Sequence, residues 1–151
     1  MTEPMLDAEA SASLVVAASD LASALPLAAG DAFPSVFATA RMVALMEIAC
    51  ARLLQPCLAA GQLSVGVSVA ATHSAPTPLG ATVTAAARYL GRDGKLFEFE
   101  VVVSDAGGEV GRARHKRAIV DADRLQGSAV RRLAVVAESA AREGGTGNLP
   151  A

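Results

Sequence analysis

A single carboxylate inside an apolar run is the first chemical signal in this sequence. Between Arg41 and Arg52 every residue is apolar or small except Glu47. A carboxylate buried on such a helix is costly unless it is paired, hydrogen-bonded or protonated. Alone, Glu47 is equally compatible with a gap to solvent or a structural hydrogen bond. His73 adds to it. It continues the odd-numbered series Leu63, Val65, Val67, Val69 and Ala71, so in an unbulged strand it points to the apolar face. An imidazole beside a carboxylate can supply a nucleophile or base together with a proton shuttle. A structural His–Glu bond in the core is the alternative. Thr39 precedes the helix and reads as its N-cap, and a helix start also presents free N–H groups that can hold a carbonyl oxygen or a water. Arg112, Arg114 and Lys116 share one face of the last strand, with His115 and Arg117 on the other. Such a strip is ordinarily solvated, and near a pocket mouth it could meet phosphate charge. Cys50 and Cys57 lack the Cys and His partners a zinc site needs, so no metal site is expected and both read as buried free thiols.

The elements that must position these residues follow from periodicity. Ala40 to Leu54 contains no Gly or Pro, and Pro56 stops the helix. Because it is apolar almost all round, it is expected to be enclosed by the rest of the protein. Residues 1–11 are expected to be frayed, Leu14 to Ala17 is a first strand, and Gly30 to Ser35 is a loop. Leu63 to Ala71 alternates as a strand, and a Pro-rich turn spans Ala75 to Gly80. Ala81–Leu90, Leu96–Ser104 and Val110–Val120 are three further strands, separated by hairpin turns at Gly91–Gly94 and Asp105–Gly108. The expectation is an α+β domain over residues 1–122, with four strands in an antiparallel meander covered by the one apolar helix. An amphipathic helix follows over 123–143, clearest from Ser128 to Arg142, and then a loose tail over 144–151.

Composition removes several classes of function. The chain is 52% apolar but only 3% aromatic, so its core must be built from Ala, Val and Leu. A net charge of -2 offers no general attraction for nucleic acid or acidic lipid. Met1-Thr2-Glu3-Pro4 is acidic rather than basic, which argues against a secretory signal. The stretch from Ser13 to Gly30 is broken by Asp20, Ser23 and Pro26, which makes it a poor membrane span. A reducing cytoplasm is the expected home, with no membrane or nucleic-acid partner.

The residues then resemble a known family. Phe33-Pro34-Ser35-Val36-Phe37-Ala38-Thr39, then Met42-Val43-Ala44-Leu45-Met46-Glu47 and Ala49-Cys50, are similar to the bacterial fluoroacetyl-CoA thioesterase-like family. So are Ser64-Val65-Gly66, Thr72-His73, Ala75 to Gly80, and His115-Lys116-Arg117-Ala118-Ile119-Val120. The spacing holds without a gap from Thr39 to His73. The resemblance implies a hotdog fold, a curved antiparallel sheet wrapped around one long central helix. It also implies a homodimer, or a pair of dimers, with sites near the interface. The catalytic trio it implies falls on Thr39, Glu47 and His73, with Phe33, Phe37, Gly66 and Arg117 as substrate-binding residues. The implied activity is hydrolysis of a short acyl-CoA thioester, fluoroacetyl-CoA included, with no cofactor because coenzyme A belongs to the substrate. The alanine-rich segment before Phe33 departs from the family's aromatic gating segment. Two other readings remain: a hotdog hydratase, disfavoured because no acid precedes His73 closely, and a non-catalytic acyl-CoA-binding hotdog protein.

Overall fold

The structure is a computed structural model that describes residues 3–144. Its strands are β1 (Glu9–Val15), β2 (Gln62–His73), β3 (Thr82–Asp93), β4 (Leu96–Asp105) and β5 (Gly108–Asp121), and its helices are α1 (Thr39–Leu54) and α2 (Ala122–Gly144). The strands form one curled antiparallel sheet in the order β1-β3-β4-β5-β2, the hotdog arrangement of an α+β domain. Alternation along the central strands turns Val83, Ala85, Ala87 and Tyr89 of β3 inward, with Phe97, Phe99, Val101 and Val103 of β4 beside them. α1 lays Met42, Leu45, Met46, Ala49, Cys50, Leu53 and Leu54 onto that face at helical spacing. Pro56 ends it in a short 3₁₀ turn over Gln55–Cys57. Thr77 pins the segment from β2 to β3: its buried hydroxyl donates to Asp105 at 2.7 Å, and its carbonyl accepts from the Phe37 N–H at 2.8 Å. That hydroxyl holds the Asp105 carboxyl below the usual carboxylate range, with the Gly107 N–H adding to it.

The outcome departs from the sequence expectations in several places. The first strand starts at Glu9, inside the segment expected to fray. Tyr89 donates to Glu3 at 2.8 Å, Arg88 to Asp7 at 2.7 Å, and the Asp7 N–H to the Tyr89 carbonyl at 3.0 Å, all contacts far away in sequence. Only β3, β4 and β5 form the meander. β2 pairs with β5 at the far edge, because the Pro-rich segment carries the chain across instead of turning it back. The first hairpin turn is Gly94-Lys95, while Gly91 belongs to β3 at an irregularity with φ 117°. α1 is not enclosed all round: Ala40, Ala44 and Ile48 form an exposed stripe. α2 starts at Ala122, where the Asp121 carboxylate accepts from the Arg124 N–H at 2.8 Å as an N-cap. None of its described side chains is buried. The expected tail from 145 onward lies outside the described residues.

Candidate active site

β2 decides the geometry of the site. Its pairing with β5 slips between Gly66 and Ser68, leaving Val67 as an extra residue in a bulge. Before the bulge, Ser64 and Gly66 lie on the inner face, opposite Ile119 and the buried Arg117; after it, Val69, Ala71 and His73 do. Leu63 and Val67 therefore face outward and are exposed, against the unbulged expectation, whereas His73 lies on the expected side.

Thr39 is the first residue of α1 rather than its cap. Ala38 occupies the cap position and no side chain caps the helix, so the Thr39 hydroxyl is free for another partner. That partner is His73: Thr39 Oγ1 and His73 Nδ1 are hydrogen-bonded at 2.8 Å. The other ring nitrogen, His73 Nε2, is buried and has no hydrogen-bond partner among the described residues. Phe37 meets the imidazole edge-on at 6.4 Å between ring centroids. Next to this pair lies a pocket of about 420 Å³ lined by Phe33, Pro34, Val36, Phe37, Thr39, His73 and Pro76, among others. Phe37 is fully buried in its wall, while Phe33 is 53% exposed at its rim. A buried imidazole nitrogen without a partner, beside a mostly apolar pocket, is what a site for an uncharged polar group such as a carbonyl would present.

Glu47 lies two helical turns further along α1, about 12 Å from Thr39 along the axis. Its side chain is 41% exposed, so the gap to solvent considered from sequence is present. The carboxylate sits against Gly66 so closely that a Cβ there would collide with Glu47 Oε1. Arg117 Nη1 stands 4.0 Å from Glu47 Oε2. Arg117 is buried and forked: Nε donates to Ser64 Oγ at 3.0 Å and Nη2 to the Ser64 carbonyl at 2.9 Å. Cys50, also on α1, is pushed up to about 12 by burial despite the nearby Arg117 charge, so it stays a protonated thiol and is no nucleophile. Cys57 is half-buried rather than buried.

The expected substrate residues Phe33 and Phe37 thus gather with Thr39 and His73, and Gly66 and Arg117 with Glu47. Within one chain these are two clusters. The basic strip on the outer face of β5 is no free phosphate site. Arg114 pairs with Glu98, Lys116 with Asp93, and Arg112 with Glu109 and Glu100. Sequence reasoning assigned nothing to His115, which is fully buried on the inner face between Ser68 and Arg117. Its spacing of two residues from Arg117, which puts both on one face of the strand, was the available signal.

A curled sheet around one helix, with a carboxylate on that helix and a histidine at a strand end, defines the hotdog-fold thioesterase class. The chain belongs to the family described as fluoroacetyl-CoA-specific thioesterase, whose model matches residues 16–123. It is 40% identical over 93 residues to the fluoroacetyl-CoA thioesterase of Streptantibioticus cattleyicolor, covering 62% of this chain and 67% of that protein. It also superimposes on the solved structure of a variant fluoroacetyl-CoA thioesterase in complex with fluoroacetate. There the TM-score is 0.79 at 30% identity, over 84% of this chain and 97% of that one. A thioesterase superfamily member from Thermus thermophilus matches at TM-score 0.79 and 25% identity, over 92% of this chain and 99% of its own.

Proposed function

We propose that this protein hydrolyses short acyl-CoA thioesters, with Thr39, Glu47 and His73 as the catalytic trio. The observation that carries this reading is the His73 ring, held by Thr39 on one nitrogen and unpaired on the other beside the apolar pocket. The acyl group, fluoroacetyl included, occupies the apolar pocket between Phe33 and Phe37. Glu47 either takes a proton from an attacking water or attacks the thioester carbonyl itself, in which case a water then hydrolyses the acyl–Glu47 anhydride and frees the carboxylate. The C–S bond breaks, His73 moves the proton that the leaving thiolate needs, and the products are the free acid and coenzyme A. Thr39 orients the imidazole and the carbonyl, and N–H groups near Gly66 stabilise the oxyanion. No added cofactor takes part. Two free thiols suit a reducing cytoplasm.

The site belongs to a homodimer in this reading. β2 is a sheet edge of 12 residues, most of them exposed. The other edge, β1, is partly blocked by Arg52, which donates to the Ser11 carbonyl at 2.7 Å. Antiparallel pairing of β2 with its copy brings the Gly66 half of one strand toward the His73 half of the other. Glu47 of one subunit then joins Thr39 and His73 of the partner subunit, which closes the gap between the two clusters.

The test is thiol release from acetyl-, propionyl-, butyryl- and fluoroacetyl-CoA by the wild type, Glu47→Gln and His73→Ala. Turnover that both substitutions abolish, with the fold retained, supports the reading. Full activity in both variants refutes the trio, and saturable binding without turnover in the wild type favours an acyl-CoA-binding protein.

A further inference from the structure

We propose that His115 is a positioning residue of this site: with one ring nitrogen on Ser68 and the other on Arg117, it locks the β2 bulge and aims the guanidinium at Glu47. The proposal rests on the thioesterase reading and gives a role to a residue which that reading does not use.

His115 is fully buried, and each neighbour dictates one of its nitrogens. Nδ1 is 2.8 Å from the Ser68 carbonyl oxygen, which can only accept, so Nδ1 carries the proton. Nε2 is 3.1 Å from Arg117 Nη1, which can only donate, so Nε2 is bare. A single neutral tautomer satisfies both. An acceptor is what a buried guanidinium needs here, since a second cation in the same place would be repelled and an apolar ring would leave the Arg117 N–H unpaired. The other groups of the clamp that carry charge or titrate are Glu47 and Cys50 on α1, and Phe99 of β4 lies 6.5 Å from the imidazole between centroids. Burial lowers the His115 pKa from its ordinary value, with the Arg117 charge adding to the effect, and the ring is neutral in the working state.

The clamp grips β2 on both sides of the extra residue. Arg117 holds Ser64 before it and His115 holds Ser68 after it, with Gly66 between them under Glu47. The bulge matters because of parity. Gly66 and His73 are an odd number of residues apart, so a regular strand would send them to opposite faces. They share the inner face because Val67 is left out of the ladder. His115 therefore acts on the chemistry through two routes, the aim of Arg117 and the register that puts both halves of the site on one face.

Long-range proton–nitrogen NMR of the wild type is expected to show His115 with Nδ1 protonated and Nε2 bare. An Nε2–H tautomer or an imidazolium overturns the proposal, whatever the enzyme does. His115→Phe removes both bonds and keeps a ring against Phe99; His115→Gln keeps one donor and one acceptor. With the best acyl-CoA of the panel, His115→Phe is expected to lose about tenfold in kcat with KM within about twofold, and His115→Gln to recover most of that loss. The Arg117 Nε–H signal should lose its protection from solvent exchange in the Phe variant alone. Equal kcat in His115→Phe and wild type, or equal losses in both variants, overturns the proposal. If the Phe variant does not fold, the tautomer and the Gln variant decide. If the wild type turns over no acyl-CoA, the thioesterase reading fails, while the tautomer and the exchange protection still decide the clamp.

Discussion

At Gly66 a missing methyl group makes room for a carboxylate. Glu47 fills the space that a side chain there would need, with the buried His115 ring 3.2 Å from the same point, and the backbone of Gly66 is not in the left-handed region, so alanine would be accepted by the backbone and refused by the carboxylate and the imidazole. Gly66→Ala is therefore expected to lower kcat about 100-fold and, by crowding the buried His115 ring, to cost about 1–3 kcal/mol of stability without unfolding the protein. Steady-state kinetics beside thermal melts would check this, and unchanged kcat would mean that the Glu47 position is not used. Much of the residue scale was legible in the sequence. Glu47 declared itself as a lone acid in an apolar run, and His73 by continuing the odd-numbered series from Leu63 to Ala71. Thr39 was misread as a cap because Thr is a common capping residue, and nothing local distinguishes a capping hydroxyl from one that reaches a histidine 34 residues away. His115 was placed on the correct face, but its role depends on a carbonyl of another strand, which no spacing within β5 reveals.

At the scale of elements, alternation and the absence of Gly and Pro located α1 and β3 to β5 to within a few residues. β2 was half right, since an extra residue reverses which side chains face inward, and a bulge leaves no mark in a hydrophobic pattern. Strand order was also beyond reach: a Pro-rich connector fits a turn or a crossing equally well, and the sheet decides between them. α2 was visible as an amphipathic helix, and none of its described side chains is buried. Removal of α2 by a stop after Asp121 is accordingly expected to leave the thermal midpoint of the domain within a few degrees of the full chain, since it takes away no core contact. A large drop would show that its apolar side, with Leu125, Leu133 and Val136, is covered in the assembled protein. Packing at the other end of β5 is stricter. A Cβ at Gly111 would come within 2.6 Å of the Thr72 carbonyl and 2.7 Å of the Met42 sulfur, so this glycine sets how closely β2, β5 and α1 approach beside His73.

For the whole molecule, the division of the site into two clusters has a direct test. Glu47→Gln and His73→Ala homodimers, each inactive, are mixed under conditions that exchange subunits. If the trio forms across the dimer, half of the dimers become mixed and each of these holds one intact site, so activity returns to about a quarter of wild type. A trio built within one chain gives no recovery. Acid stability is the second property of the whole. Burial lowers the His115 pKa below its ordinary 6.5, so the folded protein resists a proton that the unfolded chain accepts. Stability from this source is complete above pH of about 6.5 and is lost as pH falls from there toward the lower folded value. Asp93, Asp105 and Glu109, held low mainly by side-chain hydrogen bonds from Lys116, Thr77 and Arg112, act in a separate and more acidic window. Urea midpoints between pH 7.5 and 5 are expected to fall more steeply for the wild type than for His115→Gln. Parallel slopes would mean that His115 takes up its proton equally in both states.

The open ladder of β2 also governs what happens when this protein is made or refolded. Twelve residues of unpaired edge, with Leu63, Val67 and Val69 exposed beside it, can template any extended strand that arrives first. If β2 pairs with its copy as proposed, that copy competes with unfolded chains for the edge during refolding, and both encounters accelerate with concentration. Yield should therefore pass through an optimum, with too dilute a solution leaving lone subunits and too concentrated a one producing aggregate. The bulge at Val67 works against the second outcome, because a kinked edge accepts a matching kinked copy better than a straight stranger.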